Sequence, residues 1–334
     1  LCLPREEFDE KRVADSIKEL QREFSGNSFH LHTYMGVYEI RDRDEAVSIM
    51  VDKANIAADT IKNNYDCCVA YYDEHLLEIS IEQRRLLGEF EPALQNDEFV
   101  MYLQPQVKRD CAAKGAEALV RWVHPSRGIL TPYAFIDILE NAGLIYKLDL
   151  YIWEKAAQKL AEWKEKGYGS YHISVNISTK DFYIIDIYET FTGLINKYGI
   201  AASNLHLEIT ETTLMTDFEK NMNIIHKLQG VGFRVEIDDF GSGYSSLNML
   251  KDISADVLKI DMGFLRKSEN EVKGQDILES IITLAGKIGM DVITEGVETK
   301  KQLDMLTMMG CHEFQGYYFS KPVPVSEFEE KYLV

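Results

Sequence analysis

Short apolar runs punctuated by a polar side chain recur along the C-terminal two thirds of this chain. Seven such polar residues stand at the ends of successive runs: Glu117, Asn176, Glu208, Asp238, Lys259, Glu295 and Gln315, beside ALVRW, HISVN, LHLE, RVEID, VLK, DVITE and CHEFQ. From about Asp97 onward, VMYLQPQV, EALVRW, YHISVNIS, NLHLEIT, FRVEIDDF, DVLKID, DVITEGV and HEFQGYYF form eight strand candidates. Between most of them lie helical stretches such as LYIWEKAAQKLAEWKEKG and DILESIITLAGKIG, each closed by a glycine. A repeated strand–helix unit of this length predicts an α/β fold, a (β/α)8 TIM-like barrel. Its strand-end residues would gather at one rim, where barrel enzymes carry their chemistry.

The first part of the chain has a different rhythm. A helix with Val13, Ile17, Leu20 and Phe24 on one face is followed by a strand-like HLHTYMGVYEI. A second helix runs from Asp44 to about Asn63, and CCVAYYD reads as a last strand. This α/β stretch, residues 1–75, starts inside an element and reads as the back half of a domain. Residues 76–95 form a charged connector helix, and 96–334 the barrel. With Leu1 rather than Met at its start, the chain reads as part of something longer.

Composition narrows the function. The 334 residues are 46% hydrophobic, ample for a large core, and carry a formal net charge of -19. That charge argues against binding a DNA or RNA polymer, which needs a basic face. A small nucleotide in a cation-filled pocket stays compatible with it. Five cysteines with no C-x-x-C pair read as reduced thiols of a cytoplasmic protein. The eight histidines show no close ligand spacing, so no zinc site is expected. No apolar run reaches the length of a membrane span.

Several carboxylates at one rim repel one another unless cations lie between them. The economical reading is a site for two divalent ions. The sharpest local signal is EIDDFGSGYSSL, Glu236 to Leu247, where Asp238 and Asp239 end a strand and glycines free the following loop. Adjacent strand residues point to opposite faces, so the two acids share a site only where the strand is ending. A capped turn, with Asp239 or Ser245 as N-cap, is the bland alternative. Glu208 and Glu211 in LEITET, and Glu295 and Glu298 in TEGVE, repeat the pattern, with a capping box competing for Glu211. Lys259 is either half of a structural salt bridge or a group that orients water and stabilises phosphate charge. Asn176 offers a neutral oxygen to a hard cation, or simply a turn.

EALVRW (Glu117 to Trp122) with YLQP upstream, SVNIS, LEITET, DDFGSGYSSL, LKID, TEGVE and FQGYYFSKP together resemble the EAL-domain family of cyclic di-GMP-specific phosphodiesterases. The motifs occur in that family's order over roughly residues 90–334. The resemblance implies metal binding by Glu117, Asn176, Glu208, Asp238 and Asp239, with Glu295 helping to hold the second ion. It implies that Lys259 and Glu295 flank the attacking water, with Glu298 and Gln315 in support. Glu211 would hold the DDFGSGYSS loop, and Gln104 and Arg121 would contact substrate. Ser242 replaces a common threonine and keeps the hydroxyl. Residues 1–75 resemble, more faintly, the C-terminal half of a GGDEF (diguanylate cyclase-like) domain, best in DKANIAADTIKNN, with the signature loop itself missing.

The implied reaction is hydrolysis of cyclic di-GMP to linear pGpG in bacterial second-messenger signalling, with Asp238 between two Mg²⁺ or Mn²⁺ ions. The alternative is a catalytically silent cyclic di-GMP receptor, marked by lost metal ligands. A glycosidase using a carboxylate pair is a further rival that Asn176, Lys259 and the doubled aspartate fit poorly. A homodimer is expected through the loop and helix at 239–253, where Leu247, Met249, Leu250 and Ile253 exceed one buried stripe. The longer parent could still be membrane-attached.

Overall fold

The computed structural model describes residues 2–24, 33–62, 67–240, 253–263 and 271–333, in two compact units, Leu1–Glu89 and Phe90–Val334. The first unit holds a helix, Glu10–Phe24, and a parallel pair of short strands, β1 (Met35–Val37) and β2 (Val69–Tyr71), bridged by the helix Val47–Asp59. Of the apolar stripe expected on its first helix only Ile17 is buried, while Leu20 and Phe24 are exposed. The expected connector is the helix Glu74–Gln95, and the boundary between the units falls within it.

The second unit is a closed barrel. Its strands are β3 (Phe99–Lys108), β4 (Ala113–His124), β6 (His172–Ile177), β7 (Leu205–Thr210), β8 (Val235–Asp238), β9 (Val257–Asp261), β10 (Asp291–Glu295) and β11 (Glu313–Phe314). Two short flanking strands, β5 (Gly128–Leu130) and β12 (Val323–Pro324), pair with β4 and β3 outside the ring. From β4 to β11 the ring is parallel, but β3 runs antiparallel to both its neighbours, β4 and β11. This departs from a uniform strand–helix repeat. The cause is the four-residue link after Lys108, too short for a helical crossover. There Cys111 takes a left-handed conformation at φ 63° and its N–H closes the turn onto Lys108.

Alternation along each strand divides side chains between the helical coat and the interior. In β7, Leu205, Leu207 and Ile209 are fully buried on the coat side, while His206 and Glu208 point inward. Register then aligns inward residues into layers: Asn176 pairs with Glu208, Thr210 with Asp238, Ser174 with His206, and Glu208 with Glu236. The helices that cover the ring end as their sequences suggest. The longest, Ile145–Glu165, stops where Gly167 adopts φ 91°, a value costly for any residue with a Cβ.

Candidate functional site

The upper interior layer is built around one ammonium. Lys259, on β9, is fully buried, with its Nζ 2.7 Å from Glu295, 3.0 Å from Glu208, 3.4 Å from Asp238 and 3.5 Å from Glu117. The four acids come from β10, β7, β8 and β4, so only the closed ring brings them together. Burial alone would favour a neutral amine, but the surrounding acids, Asp238 and Glu117 foremost, hold Lys259 charged and far above its usual range.

Glu117 lies in the middle of β4 rather than at its end, because β4 continues beyond the ring to pair with β5. Asn176 Nδ2 donates to Glu117 Oε1 at 3.2 Å, and Gln315 Nε2 donates to Glu117 Oε2. Gln315, just past β11, also donates to Gln104 Oε1 at 3.3 Å, and Gln104 donates to the Ser320 carbonyl. Asn176 belongs to β6 and not to a turn, and Trp153 Nε1 holds its carbonyl at 2.9 Å.

Asp238 ends β8, and Asp239 follows with φ 56°, a left-handed conformation that aspartate tolerates better than most residues. Burial, then the charges of Asp238 and Asp261, raise the Asp239 carboxyl. Asp261, the last residue of β9 in LKID, carries no role legible in the sequence and joins this acidic group through the register that sets it opposite Glu295 on β10.

Three further expected residues are not among the acids paired with Lys259. Glu211 is buried at the first turn of the helix Glu211–Thr216, whose cap is made by Thr210 with Thr213, so Glu211 is not the acid of a capping box. Glu298 is exposed, and the capping box beside it is formed by Thr299 and Gln302. Arg121 is half-buried over the Tyr102 ring at 5.4 Å and makes no ion pair among the described residues. Residues 241–252, which carry most of the loop and helix expected to form the dimer contact, lie outside the described residues.

Charge in this layer is unbalanced. Both oxygens of Glu208, Asp238 Oδ1 and Glu295 Oε1 are buried with no partner besides the ion-pair contacts of Lys259. Burial and the Glu117 charge push Glu208 well above the usual carboxylate range. Burial, offset in part by Lys259, leaves Glu295 at about 8. Carboxylate oxygens without donors, one amide oxygen and no sulfur or imidazole make a donor set suited to hard divalent cations. The residues fit such ions.

The sequence profile of the EAL domain matches residues 88–322. The chain is 32% identical over 272 residues to the bifunctional diguanylate cyclase/cyclic di-GMP phosphodiesterase MucR of Pseudomonas aeruginosa, covering 81% of this chain and 39% of MucR. It is 33% identical over 240 residues to the cyclic di-GMP phosphodiesterase PdeR of Escherichia coli, covering 72% of this chain and 36% of that protein. Both relatives are therefore much longer than the part this chain spans. Among solved structures, the PaMucR phosphodiesterase in complex with c-di-GMP superposes with TM-score 0.69 at 33% identity, over 73% of this chain and 99% of that one.

Proposed function

The chain belongs to the EAL domain family, and on that premise we propose that its barrel hydrolyses one phosphodiester bond of cyclic di-GMP to give linear pGpG. The observation that carries this reading is the ring of four carboxylates around Lys259, with buried oxygens left without donors. The relatives' names and the ligand of the PaMucR complex support the choice of substrate.

Glu117, Asn176, Glu208, Asp238 and Asp239 would hold two divalent cations, Mg²⁺ or Mn²⁺, with Glu295 contributing to the second. Bound there, the cations supply charge for the developing phosphate and lower the pKa of water. Lys259 would orient that water through its ammonium, and Glu295, 2.7 Å from it, would assist as base. Gln315 fixes the Glu117 carboxylate from the opposite side of the ring seam. Arg121, with its guanidinium uncommitted to any acid in the described residues, and Gln104 contact the substrate. Glu298 supports from outside the cluster.

The test is turnover of cyclic di-GMP by the purified chain, with Mg²⁺ or with chelator, read as pGpG by chromatography. Asp238→Asn and Glu117→Ala should each lower the rate by at least about a hundredfold, as removal of a preorganised electrostatic group does. Turnover undiminished by chelator would exclude the metal, while binding without turnover would establish the silent-receptor alternative.

Three finer readings accompany this one. The first unit is the back half of a GGDEF-like domain, supported by its parallel β1–β2 pair and the stretch DKANIAADTIKNN, and on its own it carries no cyclase chemistry. A two-fold dimer forms through 239–253, supported by the apolar content of that segment in the sequence. The working compartment is the cytoplasm, in keeping with five unpaired cysteines. Among the described residues no helix is long and apolar enough to cross a membrane.

A further inference from the structure

Beneath the carboxylate layer the barrel interior holds a second polar layer that hydrolysis does not use. Barrel interiors are normally filled by branched apolar side chains. Here β6, β7 and β8 contribute His172, His206 and Glu236, exposed by only 8%, 4% and 0%. One ligand atom from each lies within 4.8 Å of the others. The imidazoles stack with centroids 3.8 Å apart, and His206 Nδ1 meets Glu236 Oε1 at 2.5 Å.

Hydrogen bonding alone does not complete this cluster. Ser174 donates to Glu236 Oε1 at 3.2 Å, yet Glu236 Oε2 is buried with no partner. Gln106 Oε1 accepts from His172 Nε2 at 2.7 Å, the outer contact that fixes the tautomer of a ligating imidazole. Burial and the neighbouring His206 keep His172 well below the usual imidazole range, hence neutral. The space is also built: a Cβ on Gly115 would come within 2.5 Å of the His172 ring. A cavity of about 470 Å³ reaches the three residues and supplies an entry path. Two cations also line the cavity, Lys114 and Arg234, each paired with an acid, Glu313 and Asp291 respectively.

We propose that His172, His206 and Glu236 form a site for one divalent transition metal of the Zn²⁺ class, distinct from the carboxylate rim. Two histidines and one glutamate, with water from the cavity as fourth ligand, make a familiar tetrahedral zinc set. Bringing the ligand atoms to tetrahedral spacing, about 3.3 Å, requires the two rings, now 4° from parallel, to rotate out of their stack until their in-plane lone pairs converge on the ion. The sequence offered no histidine spacing for zinc because these ligands come from three different strands and meet through β-register.

The test uses the full chain, stripped with chelator and titrated with Zn²⁺ in competition with a chromophoric chelator, and separately with Co²⁺. Beyond the ions the rim takes up, one tight equivalent is expected, with tetrahedral visible absorption for Co²⁺ and shifted ring ¹⁵N resonances of two histidines with Zn²⁺. Asp238→Asn should retain all three signals. His206→Gln and Glu236→Gln should lose the Co²⁺ absorption and weaken Zn²⁺ binding at least about a hundredfold, beyond what loss of an outer-shell contact costs. Binding that vanishes in Asp238→Asn and persists in His206→Gln assigns the metal to the rim and overturns the proposal. Should a variant fail to fold, the wild-type histidine resonances decide: no shift on saturation with Zn²⁺ leaves a hydrogen-bonded polar layer and no site.

Discussion

Replacing Lys259 by methionine removes the one ammonium shared by Glu117, Glu208, Asp238 and Glu295. At an effective dielectric constant near 20, each of these contacts at 2.7–3.5 Å represents about 5–6 kcal/mol of attraction. Most of that gain is spent on desolvating five charges and on repulsion among the acids. Deleting one partner of a buried ion pair therefore shows as a net loss of about 3–5 kcal/mol. Divalent ions would take over part of the lysine's role, because a ligand that binds only the folded state stabilises it by about 2.7 kcal/mol at a hundred times its Kd. The assay is urea unfolding at pH 8 followed by tryptophan fluorescence. Trp122, Trp153 and Trp163 are all buried in the barrel unit, so the signal reports that unit alone. The deficit of Lys259→Met should be largest in chelator and shrink in Mg²⁺. An equal deficit in both conditions, or none in chelator, would refute the idea that lysine and metal neutralise the same acids.

In chelator the wild-type barrel should lose stability as pH rises from about 4.5 to 8. Glu295 binds its proton more tightly folded, at about 8, than unfolded, so its contribution is complete below the unfolded value and disappears above the folded one. Mg²⁺ should flatten that slope, and melting temperatures across the pH series would check it. Arg121→Ala should raise KM for cyclic di-GMP more than it lowers kcat, since a guanidinium clamp binds ground and transition states alike. Unchanged KM with a lowered melting temperature would make Arg121 structural. Glu211→Ala should sharply reduce turnover and weaken its metal dependence if the 239–253 segment couples association to the site. Light scattering beside kinetics would show normal turnover by a monomer if that coupling is absent.

The sequence made the barrel legible because a period of two punctuated by helices survives in VLKID or LHLEIT without any tertiary information. It did not reveal that the first strand runs backward. KRDCAA carries no Asn-Gly or Asp-Gly turn signal, and the reversal rests on Cys111 adopting a conformation rare for that residue. Likewise, Lys259 could be read as a lone cation among acids, but its fourfold contact depends on the register of β7 to β10, which no local pattern encodes. Asp261 has no role legible in the sequence for the same reason, nor do His172 and His206, which lie far apart in the chain and show no close ligand spacing. What single-strand periodicity fixes is the face a residue takes. Which neighbours it meets there is decided by pairing between strands far apart in the chain.

The antiparallel first strand bears on the order of assembly. β3 and β4 form a hairpin, a contact that closes early because little chain entropy is lost. The ring is sealed only when β11 reaches β3, and the same event carries Gln315 to Glu117 across a sequence separation of 198. Closure and completion of the acidic cluster are thus one kinetic step, at the high-contact-order end of folding. A nascent chain that has not yet released β11 from the ribosome holds Glu117 without its Gln315 donor.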